Sequence, residues 1–452
     1  MNNTPQYPRI TISGARGIVG KDLTADNAQR MAWAYARFIG GGTVVLARDA
    51  RPSGRLLRSA VESGLLAGGC DVLDIGLAPT PTAGIMIRTV KAKGGINITA
   101  SHNPSPWNAL KMFGTDGTFP SDQFVQEYIQ FLHHGGWKHA EWDEIGATRL
   151  ETAALETHCR LIEEAIDCDK IREKNYRVAV DGCRSVGGLY LPAFLERLGC
   201  EVIRLDCEAD GNFQRELEPT PENLGRLCEK VKQEKADAGF AADPDADRLA
   251  IVSEQGEAIG EEYTLAFATY AALQKAGGGL AATNLSTSML TDFAAKQAGG
   301  RVIRTAIGEA NVAQAIRERH AVIGGEGNGG VMYPAVHNGR DSLTAAALTL
   351  QFMADSGQNI SELKNLFPNY VILKDKVHVD LEAAKKRLDE LAASPLDGEI
   401  DAQDGVKIIR DEAWLHLRCS NTEPIVRLIA EARGEAEARK LMEEGKRLLA
   451  PG

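Results

Sequence analysis

Residues 238–248 read AGFAADPDADR. Five small or apolar residues, suited to a buried strand, give way without a spacer to carboxylates at 243, 245 and 247 and a guanidinium at 248. A plain turn is served by Gly, Asn or Pro and has no use for three like charges. The same arrangement occurs twice more: GGINI (94–98) runs into TASHNP (99–104), and HAVIG (320–324) into GEGNGG (325–330).

Upstream of each polar loop lies the same sequence of signals. A β-rich run opens the unit: GGTVVLARDA (41–50), YRVAVDGC (176–183) and GGLAATNLS (278–286). A helical stretch follows, then a glycine stop and a second apolar run: LLAGGCDVLDIG (65–76), LERLGCEVIRLD (195–206) and AKQAGGRVIRTAIG (295–308). Glycine just past a helix suits a left-handed cap, and a unit used three times signals a repeated architecture. Strands alternating with helices predict βαβ units with right-handed crossovers, whose ligands bind beyond the carboxyl ends of the strands. Chemistry is therefore expected at the three polar loops.

The last ~80 residues differ. VILKDKVHVDL (371–381), GVKIIRDEAWLHLRCS (405–420) and PIVRLIAEA (424–432) alternate like half-exposed strands, and EAEARKLMEEGKRLL (435–449) has the period of an amphipathic helix. The expected fold is α/β: three tandem related α/β domains with mixed, mostly parallel sheets, then a C-terminal α+β domain, with Pro368 near the hinge. The boundaries fall at 1–150, 151–260, 261–370 and 371–452.

Composition narrows the function. A length of 452 residues accommodates three or four domains, and 44% hydrophobic with 25% charged residues is ordinary for a globular chain. A net charge of −11 argues against nucleic acid or an anionic membrane as partner, since both require a basic face. No apolar run approaches the roughly 20 residues needed to cross a bilayer, and MNNTPQYPRI lacks the marks of a signal peptide. The eight cysteines form no C-x-x-C pair and read as reduced thiols, so the cytoplasm is the expected compartment.

Each loop carries its own chemistry. On an extended loop Asp243, Asp245 and Asp247 point one way, and their mutual repulsion is relieved by a hard divalent cation; oxygen ligands alone favour Mg²⁺ over zinc. The spacing after Asp247 excludes an EF-hand, and a solvated acidic turn is the plain alternative. Ser101 reads as a phosphate carrier brought to that cation. Protease-type Ser101–His102 chemistry is disfavoured, because neighbours on an extended loop point apart. GEGNGG lets backbone approach a ligand and offers Glu326 and Asn328 for hydroxyl or amine recognition, but lacks the Lys and Ser/Thr of a Walker loop. RCSNTEPIVR (418–427) gathers Arg418, Ser420, Asn421, Thr422 and Arg427 into an anion nest suited to a phosphate monoester, or else is a surface loop before a strand.

Together these four motifs, in this order and spread over the whole chain, resemble the phosphoserine, metal, sugar and phosphate loops of the α-D-phosphohexomutase superfamily. The resemblance implies four domains around a central cleft and one Mg²⁺ bound by Ser101, Asp243, Asp245 and Asp247. It implies a phosphorylated Ser101 that donates to a hexose phosphate, giving a 1,6-bisphosphate that also serves as activator. It further implies that Arg16 and His102 line the reaction centre, that Lys111 assists proton transfer at the sugar hydroxyl, and that Arg248 stabilises phosphoryl charge. Glu326 and Asn328 would grip the sugar, and residues 418–427 the phosphate that is not reacting. The chain departs from the family pattern at Trp107-Asn108-Ala109 (usually Tyr-Asn-Gly), at Asn328 and Gly330 (usually Ser and His) and at Ala310 (often a basic residue). WNALK together with GEGNGG is similar to bacterial phosphoglucosamine mutases. Glucosamine 6-phosphate to 1-phosphate is therefore the expected reaction, with mannose and glucose phosphates as the alternative. A Mg²⁺-dependent phosphatase and a non-catalytic sugar-phosphate binder are the competing classes. The partners expected are small-molecule sugar phosphates, with no nucleic acid and no membrane, for a monomer or a homodimer.

Overall fold

The computed structural model of the chain describes residues 7–420 and 424–450. Among them, four sheets account for the strands. The first sheet runs, edge to edge, Arg9–Thr11, Gly14–Ile18, Trp107–Phe113, Gly94–Ile98, Gly42–Arg48, Cys70–Leu77 and Thr148–Leu150. The second runs Leu249–Ser253, Ala238–Ala242, Arg177–Asp181 and Glu201–Leu205. The third runs Gly300–Thr305, Gly279–Asn284, Ile323–Glu326 and Gly330–Met332.

One pattern underlies all three. The opening strand of each unit is flanked by two parallel neighbours, and the third strand also pairs antiparallel with a fourth. The fourth strands, WNALKMF, LAIVS and GVM, turn each polar loop into a hairpin connection at 99–106, 243–248 and 327–329. A loop hydrogen-bonded into a sheet at both ends has little freedom, which is what a positioned side chain requires. The third unit corrects one sequence reading. His320 ends the helix Glu309–Arg319 at φ 52°, so the strand begins at Ile323 rather than His320, and Glu326 is its last residue rather than part of the loop.

The three units share one core. A single apolar cluster runs from Val45 through Val180, Phe240 and Phe267 to Phe367. At its centre lies the helix Ser342–Ser356, buried on every side from Ser342 to Ala354, as its sequence SLTAAALTLQFMA leads one to expect. Asp341 caps that helix by accepting from the Leu343 amide at 2.9 Å. It also faces His158 Nε2 at 2.9 Å, while His158 Nδ1 meets Thr82 Oγ1 at 2.8 Å. This buried Thr82–His158–Asp341 chain staples the three units together.

The fourth sheet is wholly antiparallel: Val371–His378, Ile425–Ala432, Ala413–Cys419, Val406–Arg410 and Glu399–Asp401. Residues 405–420 are therefore two strands around a turn with Glu412 at φ 54°, not one, and the helix Leu381–Ala392 and the strand Glu399–Asp401 add to the sequence reading. Among the described residues, no helix is long and apolar enough to cross a membrane.

This domain docks on the third unit through buried polar groups. Lys407 Nζ donates to the Leu285 carbonyl at 2.5 Å and lies 4.2 Å from the centre of the Trp414 ring. Glu431 accepts from Ser288 Oγ, from the Met289 amide at 2.9 Å and from Trp414 Nε1 at 2.5 Å. His416 is fully buried: its Nε2–H donates to the Asp404 carbonyl at 2.7 Å, so Nδ1 accepts from Ser286 Oγ at 2.9 Å. Burial pushes its pKa down to about 4. A base whose folded pKa is depressed contributes stability above its unfolded value of about 6.5, and that contribution is lost as pH falls through 4. Urea unfolding followed from pH 7 to 4 is expected to lose about 3 kcal/mol through His416, and His416→Gln should remove that part of the slope. Identical pH slopes for the two proteins would contradict this.

Candidate functional site

The three loops meet around the acidic turn of residues 243–248. That turn is not extended: Ala246 stands at φ 52° and its amide donates to the Asp243 carbonyl at 3.0 Å. The carboxylates converge nonetheless, because the tight turn folds them inward. One oxygen from each of Asp243, Asp245 and Asp247 lies within 4.8 Å of the others, and all three residues are buried. Asp243 Oδ1 accepts from the amides of Asp247 and Arg248 at 3.1 and 3.2 Å.

Two observations fit this turn to a cation. Asp245 Oδ1 and Asp247 Oδ1 are buried without a hydrogen-bond partner, a costly state for carboxylate oxygens unless an ion takes them up. The charges also conflict. Burial, then the charges of Asp245 and Asp247, push the Asp243 carboxyl well above its usual range. Burial, the largest influence, acts to raise Asp245, but the Lys111 charge together with hydrogen bonds from Asp243, Lys111 and Thr80 holds that carboxyl below the usual range. Oxygen donors with this excess of negative charge fit Mg²⁺.

Ser101 sits beside the triad, 3% exposed, with Oγ donating to Asp243 Oδ2 at 2.7 Å. Its backbone is left-handed, φ 50°, which corrects the extended-loop expectation: Ser101 Oγ and His102 Nδ1 lie 3.3 Å apart rather than pointing away from each other. Burial, then the charges of Arg248 and Arg16, press the His102 pKa down to about 2, so the imidazole is neutral. Lys111 projects from the strand Trp107–Phe113, 2% exposed, with Nζ 2.6 Å from Asp245 Oδ2 and 3.6 Å from Asp247 Oδ2. Burial opposes its charge, but those two aspartates raise its pKa and keep it an ammonium. Arg16, on the strand Gly14–Ile18, donates to Asn103 Oδ1 of the serine loop. Arg248 donates to Glu218 Oε1 at 2.9 Å, with Nε 3.8 Å from Asp247.

In the third unit Glu326 accepts from Asn284 Nδ2 at 2.9 Å, and Asn328 Oδ1 accepts from the Gly330 amide at 3.2 Å. In the fourth domain Arg418 and Arg427 stand opposite each other in register on adjacent strands. Arg418 is held by Asp404, which also accepts from the Ile307 amide, and the Ser420 amide donates to the Ile425 carbonyl. Asn421 and Thr422 lie outside the described residues.

Several residues that build the site escaped the sequence reading. Arg340 spreads its guanidinium over Asp247 Oδ2 (2.7 Å), Glu309 Oε2 (2.9 Å) and Glu326 Oε2 (3.3 Å), joining the acidic turn to the third unit. Thr80 donates to Asp245 Oδ2 at 2.5 Å. Asp49 and Arg51, a fully buried ion pair, underlie the serine loop. Asp49 and Arg51 carried a usable signal, since RDARP (48–52) also follows a strand of the repeat. Arg340 carried none, because its partners lie 14, 31 and 93 residues away.

Residues 10–135, 156–256, 260–370 and 371–447 match, in order, the alpha/beta/alpha domains I, II and III and the C-terminal domain of phosphoglucomutase/phosphomannomutase. The chain is 38% identical over 435 residues to a probable phosphoglucosamine mutase of Methanopyrus kandleri, spanning 96% of this chain and 95% of that one. It is also 38% identical over 444 residues to a phosphoglucomutase/phosphomannomutase of Thermococcus kodakarensis, spanning 96% and 97%. Among solved structures, a phosphoglucomutase/phosphomannomutase family protein from Burkholderia thailandensis superposes with a TM-score of 0.85 at 28% identity, over 98% of both chains. The molecule is thus a four-domain phosphohexomutase, an isomerase acting on hexose phosphates. More particularly, the chain belongs to the phosphoglucomutase/phosphomannomutase family.

The site's packing yields a direct test. A Cβ at Gly330 would stand 2.2 Å from Arg340 Cδ, so glycine there leaves room for the arginine stem. Gly330→Ala is expected to cost about 1–3 kcal/mol in urea unfolding and, by displacing the guanidinium, to lower kcat/KM by about tenfold or more. Wild-type stability and kcat/KM in this variant would show that Arg340 has no fixed place.

Proposed function

We propose that this phosphohexomutase interconverts glucosamine 6-phosphate and glucosamine 1-phosphate through a phosphoryl group carried on Ser101 and a 1,6-bisphosphate intermediate. One observation carries the reading: the Ser101 hydroxyl lies 2.7 Å from Asp243, beside two buried carboxylate oxygens that lack partners. Asp243, Asp245 and Asp247 would hold Mg²⁺, with Ser101 alongside. That ion, when bound, would neutralise phosphoryl charge during transfer.

The chain's own residues divide the remaining work. Lys111, kept charged by two aspartates, is suited to give a proton to the sugar oxygen that loses the phosphoryl group. His102, neutral and 3.3 Å from Ser101 Oγ, is suited to accept a hydrogen bond from the approaching hydroxyl. Arg16 and Arg248 bring positive charge to the transferring group. Glu326 and Asn328 would grip the sugar in either orientation, and Arg418, Ser420, Asn421, Thr422 and Arg427 the phosphate that is not reacting. A hexose 1,6-bisphosphate would recharge Ser101 when the intermediate escapes.

The amino sugar is favoured by the Methanopyrus relative, a probable phosphoglucosamine mutase. Mannose and glucose phosphates are the second reading, favoured by the Thermococcus relative, a phosphoglucomutase/phosphomannomutase of the same identity. Eight unpaired thiols accord with a reducing compartment, and the cytoplasm remains the expected location.

The test is kcat/KM for glucosamine, N-acetylglucosamine, mannose and glucose 6-phosphates, with Mg²⁺ and a trace of glucose 1,6-bisphosphate. Preference for glucosamine 6-phosphate by about tenfold or more is expected; preference for mannose or glucose phosphate would establish the second reading. Ser101→Ala should stay folded and lose turnover by about 10⁴-fold or more, and Asp245→Asn should lose rate together with its response to Mg²⁺. Full turnover by Ser101→Ala would remove the phosphoserine mechanism.

A further inference from the structure

Ser101 is held in the left-handed region, φ 50°, a conformation that costs a non-glycine residue about 1 kcal/mol or more. It persists only if the surroundings impose it. They do so from both sides of the residue. The Ser101 amide donates to Thr99 Oγ1 at 3.0 Å, and Thr99 Oγ1 in turn donates to Asp49 Oδ2 at 2.7 Å. The Ser101 carbonyl accepts from Arg51 Nη2 at 2.6 Å.

Asp49 and Arg51 act as one piece. Arg51 donates to Asp49 through its amide at 2.9 Å and through Nε at 3.1 Å. The rest of the guanidinium serves a single stretch of chain: Nη2 also reaches the Asn103 carbonyl at 2.6 Å, and Nη1 reaches those of Pro104 and Trp107 at 3.1 and 3.3 Å. Asp49, Arg51 and Thr99 are each 0% exposed. The pair is itself anchored, since the Asp49 amide donates to the Ile98 carbonyl at 3.1 Å and Arg51 lies 5.2 Å from the ring centre of Phe213 in the second unit. A buried ion pair kept only for stability has no need to direct its donors at four carbonyls of one stretch of chain. With the amide and the carbonyl of Ser101 both fixed, its Oγ is left directed at Asp243.

We propose that Asp49, Arg51 and Thr99 are positioning residues that hold Ser101 in its left-handed conformation and thereby set the rate of phosphoryl transfer at its Oγ. The proposal rests on the reading of Ser101 as phosphoryl carrier. Lysine cannot replace Arg51, because three donors at one point do not reach carbonyls spread from 101 to 107. Serine can replace Thr99, because only the hydroxyl is used.

The experiment follows transfer from ³²P-labelled glucose 1,6-bisphosphate to the dephosphorylated enzyme in a single turnover. A sugar O–P bond breaks, the Ser101 Oγ–P bond forms, and the serine proton passes to the released sugar oxygen. Thr99→Val and Arg51→Lys are expected to slow this step about 30- to 100-fold with steady-state KM changed less than about threefold, while Thr99→Ser restores the rate. Arg58→Lys, in the ion pair with Asp74 away from the loop, should transfer at the wild-type rate. Thr99→Val and Arg51→Lys transferring within about threefold of wild type would overturn the proposal, as would slow transfer in Thr99→Ser. Should Arg51→Lys fail to fold, the two Thr99 variants decide alone. Wild-type enzyme that acquires no label on Ser101 would overturn the phosphoserine reading itself, a result distinct from labelled wild type with normally labelled variants.

Discussion

Three consecutive carbonyls of the acidic turn are each held by a different element. Pro244 accepts from Ser185 Oγ of the second unit at 2.5 Å, and that hydroxyl also receives the Ala50 amide of the first. Asp245 accepts from the Thr80 amide of the first unit at 2.9 Å, and Ala246 from the Ser342 amide of the third at 3.2 Å. Just beyond the turn, the Leu249 amide donates to the Gly329 carbonyl of the third unit at 3.0 Å. Three carboxylates crowded into a buried turn repel one another and would spring open on a free loop. Backbone held from three directions keeps them together, and the shared apolar core holds those three directions fixed.

Function follows from that rigidity. Phosphoryl transfer asks little covalent chemistry of a protein; it asks that charge be neutralised and reactants aligned before the reaction begins. The first unit contributes the serine and the lysine, the second the carboxylates, and the third Arg340 and Glu326. No unit could form the site alone. The fourth domain stands apart from this lock, bound to the third unit through Lys407, His416 and Glu431.

The legible part of the site was the part written contiguously. Asp243, Asp245, Asp247 and Ser101 sit in short motifs whose residue types have no structural excuse, and the repeat showed that those motifs leave strands at equivalent places. Backbone detail was not legible: both loops read as extended, whereas Ala246 and Ser101 adopt positive φ because hydrogen bonds from distant residues impose it. The fourth strand of the third unit, Gly330–Met332, is too short to show a period, and without it Glu326 reads as loop although it ends a strand. Arg340, Thr80 and the Thr82–His158–Asp341 chain act across units, and no local pattern records a partner many residues distant.

We propose that the locked turn holds a cation beside Ser101. A crystal of the protein soaked in Mn²⁺ and measured at the manganese absorption edge tests it most directly. The account predicts an anomalous peak about 2.1–2.2 Å from an oxygen of each of Asp243, Asp245 and Asp247, adjacent to Ser101 Oγ. A peak elsewhere, with the three carboxylates unchanged and unoccupied, would contradict it.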